Sequence, residues 1–322
     1  MEGKIVLGID IGGTFTKIGL ADREGQTYGT KIFRTEAQGS FAQYREKLKS
    51  EIDGLLKKAP SGKNLIAIGV GAPNINTYTG EMENPPNFAW GASVPIARTI
   101  ESWYKLPVST ANDANAAALG ELLFGMGKGI EHFVVLTLGT GLGSGIITDG
   151  KLLIGAHGMA GELGHVNVVP DGRKCKCGLR GCLETYASVT GIKRTIFELL
   201  SDSAENSPLR NVSFNELSGE MIADMALAGD EIALEAFKRT ATVLGSKMAD
   251  TAAHLDPQAF ILSGGLSKAG DILLLPVIAS MEKHLFVAYR GKVKVLISRA
   301  ARDQAVLGPT ALAWMNLDNN NR

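Results

Sequence analysis

Every cysteine of this 322-residue chain falls within one short stretch, at Cys175, Cys177 and Cys182. His165 stands just ahead of them and closes the run Ala160-Gly161-Glu162-Leu163-Gly164-His165. Three thiols and one imidazole make a tetrahedral set of the kind a structural zinc ion takes. Gly178 and Gly181 would let the chain between them turn tightly. The competing reading is a group of unpaired core thiols, since a free cysteine is usually a small buried hydrophobe. The neighbours Lys174, Lys176 and Arg180 are poor core composition, so the spacing favours zinc. A disulfide would leave one thiol over, and the chain shows no secretory context. Glu162 and Glu184 flank the cluster, and a metal that fixes His165 would orient them as well.

Outside that stretch, a pattern occurs twice. Lys4 to Asp10 reads as a buried strand ending in a carboxylate, Ile11-Gly12-Gly13-Thr14 as a turn, and Thr16 to Ala21 as a second strand. Phe133 to Leu138, then Gly139-Thr140-Gly141-Leu142-Gly143, then Ser144 to Ile147 repeat it. The echo predicts two similar α/β lobes, each opening with a hairpin. Between them the spacing of Phe41, Tyr44, Leu48, Ile52, Leu55 and Leu56 predicts a helix over 41–58, followed by a strand from Leu65 to Val70. An Ala-rich helix runs from Ala114 to about Phe124. Helices dominate from about 188 to 256, Phe260 to Ser263 enters a glycine turn, Val293 to Ser298 is a late strand, and Ala305 to Trp314 a closing helix.

Composition narrows the partners. Thirty-three basic and 33 acidic residues cancel, so there is no electrostatic case for nucleic acid or an anionic membrane. No apolar stretch is long enough to span a bilayer; the uncharged run from Phe133 to Thr148 is broken by glycines and threonines. The opening Met1-Glu2-Gly3-Lys4 leads into a strand, not a signal segment, and the expectation is a cytoplasmic protein.

Glycine turns rich in threonine are candidate phosphate cradles, because a backbone without Cβ atoms can bring its N–H groups close to an anion. One such turn is more often a plain hairpin. Two, with Thr14 and Thr140 as hydroxyl donors and Ser263-Gly264-Gly265 as a third glycine turn, favour a nucleotide between the lobes. No G-x-x-x-x-G-K-[ST] motif occurs, and the strand after 139–145 argues against a Rossmann site. Asp10 is either a turn cap or an oxygen ligand for a hydrated Mg²⁺. Asn112-Asp113 either caps the following helix or supplies a carboxylate kept ionised by the helix N-terminus, able to take a proton from an attacking alcohol. Four protein ligands on zinc would leave no open position, which excludes a zinc hydrolase.

Taken together these residues resemble the ROK family of bacterial sugar kinases and related repressors. Asp10-Ile11-Gly12-Gly13-Thr14 resembles its first phosphate motif and Leu138 to Gly145 its second. Ala160 to His165 and Cys175 to Glu184 resemble its two signatures. The resemblance implies an α/β, actin-like, ribonuclease-H-type fold with two lobes around a nucleotide and sugar cleft. The expected small lobe is 1–118, with the closing helix, about 303–318, packed on it; the large lobe with its zinc knuckle is 119–302. ATP and Mg²⁺ are the implied cofactors, with Gly12, Gly13, Thr14, Lys17, Gly139, Thr140, Gly141, Gly264 and Gly265 at ATP and Asp10 at magnesium. Asp113 becomes the base for a sugar 6-hydroxyl, and Asn112, Asp113, Glu162, His165 and Glu184 the sugar contacts. His165 with Cys175, Cys177 and Cys182 holds structural zinc. The implied assembly is a homodimer or homotetramer. The family's repressors carry a DNA-binding segment ahead of the first motif; with nine residues before Asp10, the expectation is that none is present here.

Glucose is the expected substrate, because Asn87-Phe88-Ala89-Trp90 resembles the Asn-Leu-x-Trp stretch of the family's glucokinases. N-acetylglucosamine or N-acetylmannosamine is the alternative, and a catalytically quiet sugar sensor the rival from another class. Gly71-Ala72-Pro73-Asn74 departs from the family in having Asn where Gly is usual.

Overall fold

The two strand–turn–strand patterns form two hairpins, and a sheet is built outward from each in the same order. The computed structural model describes residues 3–85, 88–299 and 306–320, with side chains through 318. The chain divides into two compact units, one of Met1–Gly129, Ile154–Ala160 and Arg299–Arg322, the other of Ile130–Leu153 and Gly161–Ser298.

In the first unit β1 (Lys4–Ile11), β2 (Phe15–Ala21) and β3 (Thr27–Arg34) form an antiparallel meander. Helix α1 (Phe41–Leu56) follows, started by a capping box in which Ser40 and Gln43 satisfy each other's backbone amides. β4 (Asn64–Gly71) then lies parallel to β1 on its other side. A short ribbon of β5 (Met82–Glu83) and β6 (Ser93–Val94) precedes α2 (Ile96–Tyr104). β7 (Val108–Ala111) joins β4 in parallel, and α3 (Asp113–Phe124) leaves its end, so the sheet order is β3-β2-β1-β4-β7.

The second unit repeats this with β8 (Phe133–Leu138), β9 (Leu142–Thr148) and β10 (Lys151–Leu152) antiparallel. After α4 (Val189–Asp202), α5 (Gly219–Leu227) and the long α6 (Glu231–Leu255), β11 (Ala259–Ser263) pairs parallel to β8. α7 (Asp271–His284) leads to β12 (Lys294–Ile297), parallel to β11, giving the order β10-β9-β8-β11-β12. The central strands are apolar almost throughout, as strands covered on both faces must be.

The closing helix α8 (Leu307–Asn320) belongs to the first unit and lies directly on the backbone of β1 and β4. Gly8 and Gly69 permit this approach: a Cβ on Gly69 would stand 1.8 Å from the Pro309 carbonyl oxygen, and one on Gly8 2.4 Å from that of Val306. Positions 118 and 119, where the sequence suggested a division, lie inside α3, and the first unit continues through Gly129 and takes back Ile154–Ala160. No helix among the described residues is long and apolar enough to cross a membrane. Gly69→Ala should force α8 off the sheet and cost about 2–3 kcal/mol, read as a lower urea midpoint.

Candidate functional site

Parallel strands present their carboxyl ends at one edge of a sheet, which is where ligands bind in open α/β sheets. In the first unit Asp10 on β1, Gly71 on β4 and Ala111 on β7 stand in register along that edge. Asp10 and Asp113, distant in sequence, are thereby brought close enough that the charge of Asp113 raises the pKa of Asp10. Burial is the larger cause and pushes Asp10 up to about 6, against the opposing effect of Lys17. Lys17 Nζ lies 3.6 Å from Asp10 Oδ2, and 24% of the Asp10 side chain still meets solvent, which tempers the rise. One carboxylate with room for water suits a hydrated Mg²⁺, whose charge would favour the ionised form.

Asn112 caps α3, its Oδ1 accepting the Ala114 N–H at 3.0 Å. Asp113 Oδ1 shares that N–H at 2.8 Å, so capping does not depend on Asp113. Burial raises its pKa by more than the Ala114 amide lowers it, although its opening to solvent limits the rise. The helix N-terminus alone would act in the other direction; desolvation outweighs it here.

The Gly12-Gly13-Thr14 turn closes with Gly12 N–H donating to Phe15 O at 3.0 Å. A Cβ on Gly13 would meet nothing within 4 Å, so the space before this turn is open. In the second unit Gly139 N–H donates to Gly141 O at 3.0 Å. The amides of Gly13, Thr14 and Thr140 donate to no protein group among the described residues, which leaves them available to an anion. Gly264 has φ +92°, and a Cβ there would stand 2.7 Å from the Leu138 carbonyl carbon, so the second and third glycine turns adjoin. Gly265 follows in the same turn.

His165, Cys175, Cys177 and Cys182 converge, with all ligand atoms within 4.8 Å of one another. Cys177 Sγ lies 3.7 Å from Cys182 Sγ, and Cys175 Sγ lies 3.8 Å from His165 Nδ1. A tetrahedron with zinc–sulfur bonds near 2.3 Å has edges of about 3.8 Å, so the spacing fits zinc. Gly181 sits at φ +76°, and a side chain there would strike the Val169 carbonyl, so the turn requires glycine on both counts. Burial raises the Cys175 and Cys182 thiols; for Cys177 it is outweighed by the Leu179 N–H and the neighbouring thiols, and the pKa falls. A dication would favour the thiolate at all three.

Three of the five residues expected at the sugar, Glu162, His165 and Glu184, lie in or beside this cluster. His165 turns Nδ1 toward Cys175 and holds Nε2 4.0 Å from Glu162 Oε2. Glu184 accepts from Cys175 Sγ at 2.9 Å through Oε1, while its Oε2 is the atom a Cβ on Gly141 would strike at 2.6 Å. One carboxylate thus spans from the cysteine cluster to the second glycine turn. Ser144, a polar residue inside β9 with no signal in the sequence, donates to Gly161 O and accepts from Leu163 N–H, fixing the segment that carries Glu162. Asn74 sits at φ +49°, a conformation natural to glycine and tolerated by asparagine, so the departure at this position keeps the backbone. Asn87 lies outside the described residues; Trp90 of the same stretch is buried.

The ROK family model matches residues 6–315. The chain belongs to the ROK family. A glucokinase of Halalkalibacterium halodurans is 35% identical over 96% of this chain and 94% of its own length. A ROK glucokinase from Streptomyces griseus, solved with glucose and AMPPNP, is 34% identical with a TM-score of 0.82, covering 97% of this chain and 99% of that one. The xylose repressor of Caldicellulosiruptor bescii is 30% identical, across 95% of this chain and 77% of the repressor. The actin-like ATPase fold expected from the motifs is the fold of this ROK chain, with its two like-ordered sheets. Metal analysis of the purified protein should find about one zinc per chain, lost together with thermal stability in Cys182→Ala.

Proposed function

We propose that this ROK protein transfers the γ-phosphoryl group of ATP to the 6-hydroxyl of a hexose, glucose before others. The observation that carries the reading is Asp113: a carboxylate at the start of α3 that shares the Ala114 amide with Asn112, lies near Asp10, is open to solvent on one side, and has its pKa raised by partial desolvation. Such a group is suited to orient O6–H and accept its proton as O6 attacks the γ-phosphorus and the bond to ADP breaks. The free amides of Gly13, Thr14 and Thr140 bind phosphate oxygens, with Lys17 on β2 adding charge beside the first turn and Gly141, Gly264 and Gly265 adding no side chain of their own on the second and third. Mg²⁺, when bound, neutralises charge on the transferring phosphates, and Asp10 holds its hydrated form.

Asn112, Glu162, His165 and Glu184 hydrogen-bond the sugar hydroxyls, and zinc keeps three of these four rigid. Little covalent work falls to the protein; alignment and electrostatics lower the barrier. The glucokinases at 32–35% identity support glucose as substrate. A mute sugar sensor is the second reading, favoured by the similarity to a repressor; the paired Asp10 and Asp113 speak for catalysis, since binding alone requires neither. Assembly as a homodimer or homotetramer in the cytoplasm belongs to the same proposal, supported by the exposed apolar side chains Leu275, Phe286 and Val287.

Asp113→Ala should lower kcat about a thousandfold with glucose binding retained, measured by a coupled assay and calorimetry. A base must be ionised to act, so kcat/KM in the unsubstituted protein should fall as pH drops, with a midpoint above about 4, the ordinary carboxylate value.

A further inference from the structure

The peptide between Gly12 and Gly13 has a glycine on each side, so little in its own conformation keeps its plane from flipping. In a trans peptide the carbonyl and the N–H point in opposite directions, so whatever holds the Gly12 carbonyl also aims the Gly13 N–H. Thr35 holds it: its Oγ1 donates to Gly12 O at 2.7 Å. The Thr35 amide also donates to Thr14 O at 3.0 Å, so one residue grips the turn on both sides of Gly13.

Thr35 does not act alone. A hydroxyl has one proton to give, and that of Thr35 is committed to Gly12. In its 3.0 Å contact with Thr16 Oγ1 it therefore accepts, and Thr16 is the donor. By the same count Thr16 accepts from the Tyr44 hydroxyl at 3.0 Å. Burial pushes the phenol pKa up, so Tyr44 keeps the proton that heads the chain. All three side chains are at most 3% exposed, which keeps water from substituting for any link. The Tyr44 ring lies 4.3 Å, centroid to centroid, from that of Trp90, which also packs on Phe41 and Phe88.

We propose that Thr35, Thr16 and Tyr44 are positioning residues for phosphoryl transfer: a one-way hydroxyl chain, anchored in the Trp90 aromatic cluster, that holds the Gly12–Gly13 peptide with its N–H presented to a nucleotide phosphate. The inference rests on the reading of Gly12–Thr14 as a phosphate turn.

The test compares Thr35→Val, which keeps the shape and removes the hydroxyl, with Thr35→Ser, which keeps the hydroxyl. Thr35→Val should lower kcat/KM for ATP about tenfold, equivalent to about 1.4 kcal/mol, and leave the KM for glucose unchanged. Thr35→Ser should restore ATP kinetics. Unaltered ATP kinetics in a folded Thr35→Val protein, or equal damage in Thr35→Ser, would overturn the proposal. Should Thr35→Val not fold, Tyr44→Phe decides, since it keeps the ring on Trp90 and removes the leading donor: a smaller loss of kcat/KM for ATP is expected, and no loss overturns the chain. ATP binding by the unsubstituted protein, measured by calorimetry, separates the two levels. Its absence removes the phosphate-turn reading and this inference with it; its presence with unchanged variants removes the inference alone.

Discussion

Backbone amides can hold a polyanion only where no side chain stands before them and where the peptide planes are fixed. The hairpin turn Gly12–Thr14 meets both conditions, while at Gly139–Gly141 the Glu184 carboxylate stands beside Gly141, and much of the structure follows from where the two turns sit. Each closes the hairpin of a central strand, β1 or β8, which is antiparallel to one neighbour and parallel to the other. The same strand end therefore carries a turn and faces the ends of the parallel strands. That is why Asp10 and Asp113 meet in the first unit and why Gly264 packs on Leu138 in the second. Close packing beneath, with α8 against the backbone at Gly8 and Gly69, leaves that strand end little freedom to shift.

The second organising element is the cluster of His165, Cys175, Cys177 and Cys182. Between β10 and α4 the described chain has only two short 3-10 turns, Leu163–His165 and Leu183–Thr185, so regular secondary structure does little to hold it. The cluster substitutes for that framework. Arg173 adds to it, its guanidinium bonded to Thr185 O, Gly191 O, Thr195 Oγ1 and Glu198 and lying 4.5 Å from the Tyr186 ring centre. Glu184 lies between this knuckle and Gly141, which makes the order of its carboxylate dependent on the order of the cluster.

Much of this was legible in the sequence because the informative residues are neighbours there. The three thiols, the two glycine hairpins and the pair Asn112-Asp113 each occupy a short stretch, and local chemistry dictates what such stretches do. β3 was not legible: it is an edge strand, half exposed, with Ile32 facing solvent and no clean alternation. α7 contains Pro276, which argues against a helix until tertiary packing supports it. The hydroxyl chain was not legible either, since Thr16, Thr35 and Tyr44 are joined only by folding, and Tyr44 reads as one more apolar position of α1. The rise in the Asp113 pKa likewise required the folded surroundings; the helix N-terminus seen in the sequence points the other way.

The same fold serves kinases and regulators in this family, so the architecture alone does not choose between them. The choice falls to the carboxylates, and what distinguishes a kinase is the bond it makes. The most direct measurement is a phosphorus–proton correlation spectrum of the product formed from glucose and ATP. The account predicts one sugar phosphate, its phosphorus coupled to the protons on carbon 6, formed in step with ADP. A phosphate on any other carbon, or ADP released with no sugar phosphate, would contradict it.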